Sequence, residues 1–439
     1  MKSLESQKLH HRFGLALVVL LLVLAPFHAF LTVFAAKVFG HYTVWRLWPE
    51  VLLLLSAMVS AVLLWKDVAL RRVILKSRLT WLVLAYVGWL VIMAIWSYLR
   101  HHVTKTALAD GLIVDARLPL FFLTAQIVLA RNDWVARNWR KVLIWPAAVV
   151  VVVGLLQIFV LPYGFLQHFG YGPATIMPYE TVDQKLAYVR VQSTLRGANP
   201  LGAYLVVVLA GLAGIGFIKR KPWAKAAMVL AGIGTGIVLT FTYSRSAYIG
   251  AVLALAAVTW WAVTNKRFKR LAAMSAVIVV VAGAVSLLAL RHNDRFQNTF
   301  FHTDSHSTSV QSSNDARGTA LKTGAHDVLL EPLGRGPGTA GPASAHNTGQ
   351  PTRISENYFL QIGQEVGWIG LALFIGVYAL LAFHLWQRRS EPLPRILLAS
   401  LVGLTVINLL SHAWTDETIA ILWWTLAGAA VAPRLNTKE

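Results

Sequence analysis

The sequence contains no cysteine and few charged side chains. Only 13% of its 439 residues are Asp, Glu, Lys or Arg, well below the roughly one quarter of a soluble domain, and the mean hydropathy is positive. The absence of cysteine excludes disulfides, thiolate metal sites and cysteine nucleophiles. The scarcity of charge excludes an ordinary soluble chain, so the composition indicates a membrane protein with several spans.

Other patterns are missing as well. No cluster of His, Asp or Glu has the spacing of metal ligands, and no glycine-rich phosphate loop follows a strand. We find no internal repeat and no soluble domain. We therefore expect neither a metal nor another cofactor, and we interpret residues 1–439 as a single integral membrane domain.

Long apolar runs are abundant. A run of about 20 residues can cross a bilayer as a helix, and the runs present predict an all-α polytopic membrane protein with about 12 transmembrane helices. The first run is too long for a signal peptide and lacks a clean cleavage site. The predicted spans lie near 13–36, 49–65, 79–99, 112–130, 142–162, 199–218, 226–243, 246–263, 271–290, 367–386, 395–412 and 417–433.

Acidic residues are scarce relative to basic ones, with 19 Asp and Glu against 40 Lys and Arg. The basic residues crowd connections on the side of the N-terminus, such as 219–225 and 265–270, whereas acidic residues favour the opposite side. The positive-inside rule then places both termini in the cytoplasm. We interpret the excess charge as a topology signal and an attraction to membrane lipids, with no nucleic-acid partner.

The connections on the outer side are longer and more polar. Residues 291–355 form a predicted periplasmic loop between spans 9 and 10, and loops of this length are usually functional or disordered. Within it, residues 316–332 predict a short helix and residues 334–350 predict turns and coil. We expect the function to lie in this outer face and in the bundle beneath it.

One candidate anion site lies in RVQSTLRGANPLGAYL, at 190–205. Asn199 and Pro200 predict a helix start, with Asn199 as the N-cap. The free amides and dipole of a helix N-terminus favour an anion. Arg190 and Arg196 flank this start, and two guanidinium groups suit a phosphate or diphosphate. The alternative is a solvated loop with ordinary arginines.

Further candidate charges lie at predicted span ends. Arg245, in TYSRSAY, occupies an outer turn where the positive-inside rule disfavours a cation, so we interpret it as a phosphate ligand. Arg317 in the long loop is either a second ligand or a solvated residue. Asp115 and Arg117 diverge on a helix because they are two residues apart. They either snorkel at the outer interface or belong to a site.

The segment ENYFLQIGQEVGWIG, at 356–370, joins the long polar loop to a membrane helix. Asn357, Gln361 and Gln364 recur with helical spacing, so a helix begun near Ser355 would carry one polar stripe. This junction is the predicted edge of a site.

Glu356 begins that junction. A carboxylate at a helix start can compensate the helix dipole, or it can act as a general base. His346 and His412 are alternative bases.

Four segments together resemble the O-antigen ligase and O-antigen polymerase family of bacterial envelope glycosyltransferases, over most of residues 110–390. The family's ligase signature is a His and an Asn followed at a fixed distance by a Gly-x-x-Gly pair. Asn357, Gly367 and Gly370 keep that spacing, while Glu356 occupies the His position. The four segments are RVQSTLRGANPLGAYL, TYSRSAY, Arg317 followed by PLGRGPGTAG, and ENYFLQIGQEVGWIG.

The resemblance implies a GT-C-like, inverting, metal-independent glycosyltransferase of the bacterial inner membrane with a periplasmic active site. Such an enzyme takes a glycan from undecaprenyl diphosphate and transfers it to a glycan or glycolipid acceptor. The family's diphosphate-binding arginines would carry over to Arg190 and Arg245, and its catalytic base to Glu356. Further candidates for binding the diphosphate or glycan are Arg117, Arg196, Asn199, Arg317 and Asn357.

Three functions stay open. A polymerase joins the glycan to another lipid-linked repeat, whereas an O-antigen ligase joins it to a lipid A core sugar. The absent signature His favours a polymerase or a ligase for another surface polysaccharide. The remote alternative is a solute transporter with Arg190, Arg245 and Asp115 along its path. Transporters tend to show inverted repeats and broken mid-span helices, whereas the polar residues here gather on one face, which favours an enzyme.

Overall fold

The computed structural model describes residues 2–182, 185–217, 221–263, 267 and 313–435. Within these residues, ten helical segments are long and apolar enough to cross a membrane, which confirms the all-α polytopic prediction. The predicted ninth span, 271–290, and residues 291–312 of the predicted outer loop lie outside the described residues. The ten segments are Leu9–Phe39, Trp48–Lys66, Arg78–Leu99, Lys105–Leu129, Trp134–Phe159, Ala198–Gly216, Pro222–Thr240, Arg245–Ala262, Tyr358–Gln387 and Pro392–Leu410.

We number the described α-helices in chain order. The first span combines α1 and α2, which a short 3-10 turn separates. The last predicted span is a shorter apolar helix, α15, of 15 residues. The helices are α1 (Lys2–Leu24), α2 (His28–Phe39), α3 (Tyr42–Arg46), α4 (Trp48–Lys66), α5 (Val68–Lys76), α6 (Arg78–Leu99), α7 (Lys105–Leu129), α8 (Trp134–Phe159), α9 (Ala198–Gly216), α10 (Pro222–Thr240), α11 (Arg245–Ala262), α12 (Ser313–Leu330), α13 (Tyr358–Gln387), α14 (Pro392–Leu410) and α15 (Glu417–Val431).

The centre of the bundle is formed by mainly apolar helices that are buried on all or most sides. Every residue of α15 is buried, and α7 and α9 are buried over most of their lengths. A helix without a polar face belongs in the interior of a bundle. Small residues let neighbouring helices approach closely: a Cβ on Gly403 of α14 would lie 2.4 Å from the carbonyl oxygen of Gly250 in α11.

A small antiparallel hairpin, absent from the sequence-based prediction, precedes α9. It consists of β1 (Glu180–Val182) and β2 (Lys185–Arg190), with Glu180 opposite Arg190. The backbone N–H of Val191 donates to the carbonyl of Phe241 at 3.0 Å. The hairpin is therefore attached to the turn between α10 and α11.

The predicted polar junction is a helix with one break. Helix α13 begins at Tyr358, three residues beyond the predicted start, and its only non-helical residue is Gly367, where the apolar run begins. Two members of the predicted polar stripe are buried, since Gln361 and Gln364 are 2% and 1% exposed, whereas Asn357 is half-buried. The amide of Gln364 donates to Asp327 of α12 at 2.8 Å. The stripe therefore contacts the outer loop.

The described part of the long loop has the predicted character. Residues 316–332 fall largely in α12, and residues 334–350 form turns with one short 3-10 segment, Pro342–His346. The hydroxyl of Ser97 in α6 donates to the carbonyl of Arg335 at 2.6 Å. The loop is thereby fixed to the ends of the membrane helices.

Candidate functional site

One end of the bundle contains a polar cavity of about 120 Å³, which we name the arginine cavity. Three predicted arginines line it, and each comes from a different element: Arg190 from β2, Arg245 from the start of α11 and Arg317 from α12. Asn199 of α9 and Ser411, just after α14, also line it. The structure thus brings together charges that are far apart in the sequence.

Arg190 connects three segments of this wall. Its Nη2 donates to Oδ1 of Asn199 at 2.6 Å, and its Nε donates to the carbonyl of Thr242 at 2.9 Å. Its Nη1 lies 3.2 Å from Oε2 of Glu180. Burial lowers the pKa of Arg190; the carboxylate of Glu180 opposes this shift and the positive charge of Arg317 adds to it. Two cations that line one cavity favour the binding of an anion between them.

The prediction that Asn199 is an N-cap is wrong. Helix α9 begins at Ala198 with Gly197 as its N-cap, and no side chain caps it. Gly197 has extended backbone, so the helix starts before Asn199 is reached. The side chain of Asn199 instead accepts the hydrogen bond from Arg190. It holds the arginine against the start of α9.

The turn before α11 is held in an uncommon conformation. Tyr243 has a φ of +50°, in the left-handed region that residues other than glycine rarely adopt. The next residue, Ser244, is the N-cap of α11. Such strain is maintained only where the surrounding structure enforces it. Arg245 follows as the first helical residue, so its guanidinium and the free amides of the helix start belong to the same wall.

A second cavity of about 320 Å³ adjoins the first, and we name it the histidine cavity. Arg196, His412 and Asp416 line it, and it shares Asn199 and Ser411 with the arginine cavity. Nε of Arg196 lies 3.6 Å from Oδ2 of Asp416. Burial raises the pKa of the Asp416 carboxyl, and the charge of Arg196 opposes this shift.

The segment that carries Glu356 is attached to the turn after α14. The backbone N–H of Tyr358 donates to the carbonyl of Ser411, and the amide of Asn357 donates to the carbonyl of Leu409, both at 3.1 Å. The other side of the Asn357 amide accepts from Leu360 N at 3.0 Å and caps α13. Asn357 therefore joins two helix ends, and Glu356 before it has a φ of +52°.

Glu356 and His412 influence each other electrostatically. Burial lowers the pKa of the His412 imidazole, whereas the carboxylate of Glu356 raises it. Arg196 and Arg317 also lower this pKa, and the net shift is downward. Glu356 lines neither cavity, but its charge acts on His412, which lines the histidine cavity.

Arg117, a predicted substrate-binding residue, is not brought to either cavity. It is 2% exposed, and its Nη1 lies 3.2 Å from Glu417 and 3.6 Å from Glu50. Its other terminal nitrogen donates to the carbonyl of Thr415. Asp115 is fully buried and faces Glu365. The snorkelling interpretation of Asp115 and Arg117 is wrong, because the interior of the bundle encloses both side chains.

Two carboxylates of the site, Glu180 and Asp416, are not predicted from the sequence. Each pairs with a predicted arginine, Glu180 with Arg190 and Asp416 with Arg196. Their positions depend on the hairpin and on the turn before α15, neither of which shows a local sequence pattern. No group of three or more His, Asp or Glu that could hold a metal ion occurs in the part of the chain that the structure describes.

The apolar spans define a multi-pass membrane protein, and a cavity lined by arginines lies at one end of its bundle. Residues 226–375 match the family model described as O-Antigen ligase. Over these residues, the match supports the resemblance to the O-antigen ligase and polymerase family that the sequence predicts. It also supports an O-antigen ligase-type function in polysaccharide assembly, by a glycosyltransferase-like enzyme that acts on lipid-linked glycans and acceptors. No curated protein matches the chain by sequence comparison.

The match covers about a third of the chain, which is less than the resemblance predicted for residues 110–390. It includes Arg245, Arg317 and Glu356, whereas Arg190 precedes it. The cavity therefore combines residues from inside and outside the matched segment.

Proposed function

We propose that the protein transfers a glycan from an undecaprenyl-diphosphate donor to an acceptor sugar hydroxyl during surface polysaccharide assembly. The observation that carries this proposal is the convergence of Arg190, Arg245 and Arg317 on one cavity at the ends of membrane helices. A lipid-linked donor keeps its tail in the bilayer and its diphosphate at the membrane surface. A cationic cavity at the ends of spans suits this arrangement.

The arginine cavity has the chemistry that a diphosphate requires. Guanidinium groups form strong charge-assisted hydrogen bonds with phosphate oxygens. The start of α11 adds backbone amides and a helix dipole. Asn199 and Glu180 hold Arg190 in place before any ligand binds. Such preorganisation lets the arginines stabilise negative charge as it develops on the leaving group.

The proposed reaction is a single displacement at the anomeric carbon. The acceptor oxygen forms a bond to this carbon as the bond between the carbon and the diphosphate oxygen breaks. The configuration inverts, and the undecaprenyl diphosphate leaves with the bonding electrons. The carboxylate of Glu356 serves as the base for the acceptor proton. Arg196, Asn199 and Asn357 bind or order the substrates, and the proposed mechanism requires no metal.

The proposed topology follows from the distribution of charge. Both termini lie in the cytoplasm, and the cavities face the periplasm of a bacterial inner membrane. Residues 1–439 then form one GT-C-like integral membrane domain with a periplasmic loop at 291–355. Membrane lipids and a glycan or glycolipid acceptor are its other proposed partners.

Two acceptor classes have separate support. The Glu at position 356 in place of His favours a polymerase or a ligase for a polysaccharide other than lipid A core, whereas the description of the matched family favours an O-antigen ligase. A deletion strain distinguishes them by its glycan profile. Single repeats on lipid A core indicate a polymerase, and uncapped core with accumulated lipid-linked polymer indicates a ligase.

The substitution Arg245→Ala tests the proposed function. Removing one preorganised cation from the leaving-group site lowers transfer by about 10²- to 10³-fold. The assay measures glycan transfer by purified protein in detergent with EDTA present, together with binding of the donor. We expect both transfer and donor binding to fall while the thermal unfolding temperature is unchanged.

Arg137→Ala is the matched control for this experiment. Arg137 is an exposed arginine near the start of α8, and among the ion pairs described it pairs only with Asp133. The opposite end of α8 is the one on the cavity side, where Gln157 accepts from Ser193 N. We expect this variant to retain normal transfer. Normal donor binding and transfer by Arg245→Ala would contradict the assignment of the cavity.

A further inference from the structure

We propose that His412 is a further catalytic residue that accepts the proton of the acceptor hydroxyl, and that the carboxylate of Glu356 stabilises the imidazolium that forms. The inference rests on the proposed function and changes the role of Glu356 from the base itself to the partner of the base.

His412 has the position that a proton acceptor requires. It contributes to the wall of the histidine cavity, and the residue before it, Ser411, lies in the wall of both cavities. An acceptor sugar in the histidine cavity would therefore be next to a diphosphate in the arginine cavity. His412 follows Ser411 directly in the chain, so it lies near the boundary between the two cavities.

The turn that carries His412 is fixed by hydrogen bonds. The carbonyl of His412 accepts from the backbone N–H of Thr415 at 3.1 Å and from its hydroxyl at 2.8 Å. The carbonyl of Ser411 accepts from Tyr358 N, two residues after Glu356. The imidazole and the carboxylate therefore belong to two segments held against each other. A catalytic group needs such support to keep its geometry.

The surroundings of His412 favour its neutral imidazole. Burial lowers its pKa, and the arginines Arg196 and Arg317 add to this effect. Glu356 is the carboxylate that opposes it. A neutral imidazole can accept a proton at neutral pH. The adjacent carboxylate then stabilises the imidazolium that forms, as in other pairs of a base and an orienting carboxylate.

The proton balance is complete within these groups. The acceptor oxygen loses its proton to His412 as it bonds to the anomeric carbon. The electron pair of the breaking bond leaves with the diphosphate, whose charge Arg190 and Arg245 stabilise. The carboxylate of Glu356 offsets the positive charge on His412 until the proton passes to solvent. No oxidant, reductant or further reactant is needed.

The substitution His412→Gln tests the pair. Glutamine retains a polar side chain but cannot accept the proton, so we expect transfer to fall by about 10²- to 10⁴-fold, the usual contribution of general base catalysis. Donor binding should be unchanged, because His412 is not in the arginine cavity. His346→Gln is the control, since His346 pairs with Asp110 at 2.5 Å outside both cavities.

The pH profile gives a second readout. The lowered pKa of His412 means that the wild type loses activity only below the ordinary titration range of histidine, as the imidazole becomes protonated. The residual activity of His412→Gln should lack this step. If the role of His412 is purely structural, His412→Gln lowers the activity but the acidic step of the pH profile remains.

The double variant tests whether the two groups act as a unit. If they do, Glu356→Gln combined with His412→Gln loses little more activity than the more damaging single change. Losses that multiply would contradict the pair. Wild-type rates and an unchanged pH profile for His412→Gln would overturn the inference and leave the proposed function intact. Failure of the wild type to bind or use any polyprenyl-diphosphate glycan would overturn the proposed function itself.

Discussion

A buried arginine stabilises the turn that carries His412. Arg117 contacts Glu417 and Glu50 inside the bundle and donates to the carbonyl of Thr415. Thr415 in turn donates twice to the carbonyl of His412. Removing one partner of a buried ion pair leaves an uncompensated charge and is strongly destabilising. The position of the His412 turn therefore depends on an arginine outside either cavity.

Arg117→Met is expected to destabilise the fold by about 3–5 kcal/mol, because Glu417 and Glu50 lose their buried partner. A denaturant titration of the protein in detergent measures this loss in the free energy of unfolding. Arg137→Met provides the comparison at an exposed pair, where about 0–1 kcal/mol is at stake. Normal stability with weakened donor binding would show that Arg117 acts on the substrate, as the sequence analysis predicted.

At the scale of elements, the outer loop is locked onto the break in α13. The backbone N–H groups of Arg335 and Gly336 donate to the carbonyls of Gln364 and Glu365 at 3.0 and 2.7 Å. The N–H of Gly338 donates to the Glu365 carboxyl at 2.8 Å. The glycine-rich stretch thus packs its backbone against membrane helices.

Gly338 is the position where this packing is tightest. Its φ is +85°, and a Cβ there would lie 2.0 Å from the carbonyl oxygen of Ala107. Gly338→Ala is expected to cost about 2–4 kcal/mol, from backbone strain and overpacking together. Unfolding in detergent and protease sensitivity of the outer loop report the effect.

Gly349→Ala separates the two causes. Gly349 has nearly the same φ, +84°, but nothing lies within 4 Å of its added Cβ. We expect a loss of about 1 kcal/mol there, from strain alone. Equal losses for the two variants would mean that contact with α7 contributes nothing.

Some elements of the fold are predictable from a local sequence pattern, and others are not. The apolar runs identified the spans because burial in a bilayer requires their length, and Arg245 stood out because a cation is unexpected in an outer turn. The N-cap prediction for α9 is wrong because the side chain of Asn199 accepts a hydrogen bond from Arg190, which lies in β2. The hairpin and the pairing of Glu180 with Arg190 depend on tertiary contacts that no local pattern contains.

At the scale of the whole molecule, the site lies at one end of a bundle built around α15. All residues of this helix are buried, and Asp416 caps its start by accepting from Thr418 N at 3.0 Å. The same Asp416 lines the histidine cavity. The central helix therefore connects the apolar core directly to the site. This explains how a bundle held together mainly by apolar packing positions polar groups.

The absence of cysteine allows the orientation of this bundle to be tested with single reporters. Lys322 is exposed on α12, the helix that contributes Arg317 to the arginine cavity, whereas Arg137 is exposed near the start of α8. Gln157, near the other end of α8, accepts from Ser193 N at 2.8 Å on the cavity side, so the two reporter positions lie at opposite ends. Each reporter is the only cysteine in its variant.

We expect a membrane-impermeant maleimide to label Lys322→Cys in intact spheroplasts and Arg137→Cys only after the membrane is opened. The reason is the positive-inside rule, which places the basic connections in the cytoplasm and the cavities in the periplasm. Labelling after permeabilisation controls for accessibility at both positions. The reverse pattern would place the arginine cavity on the cytoplasmic side and would contradict a periplasmic transferase.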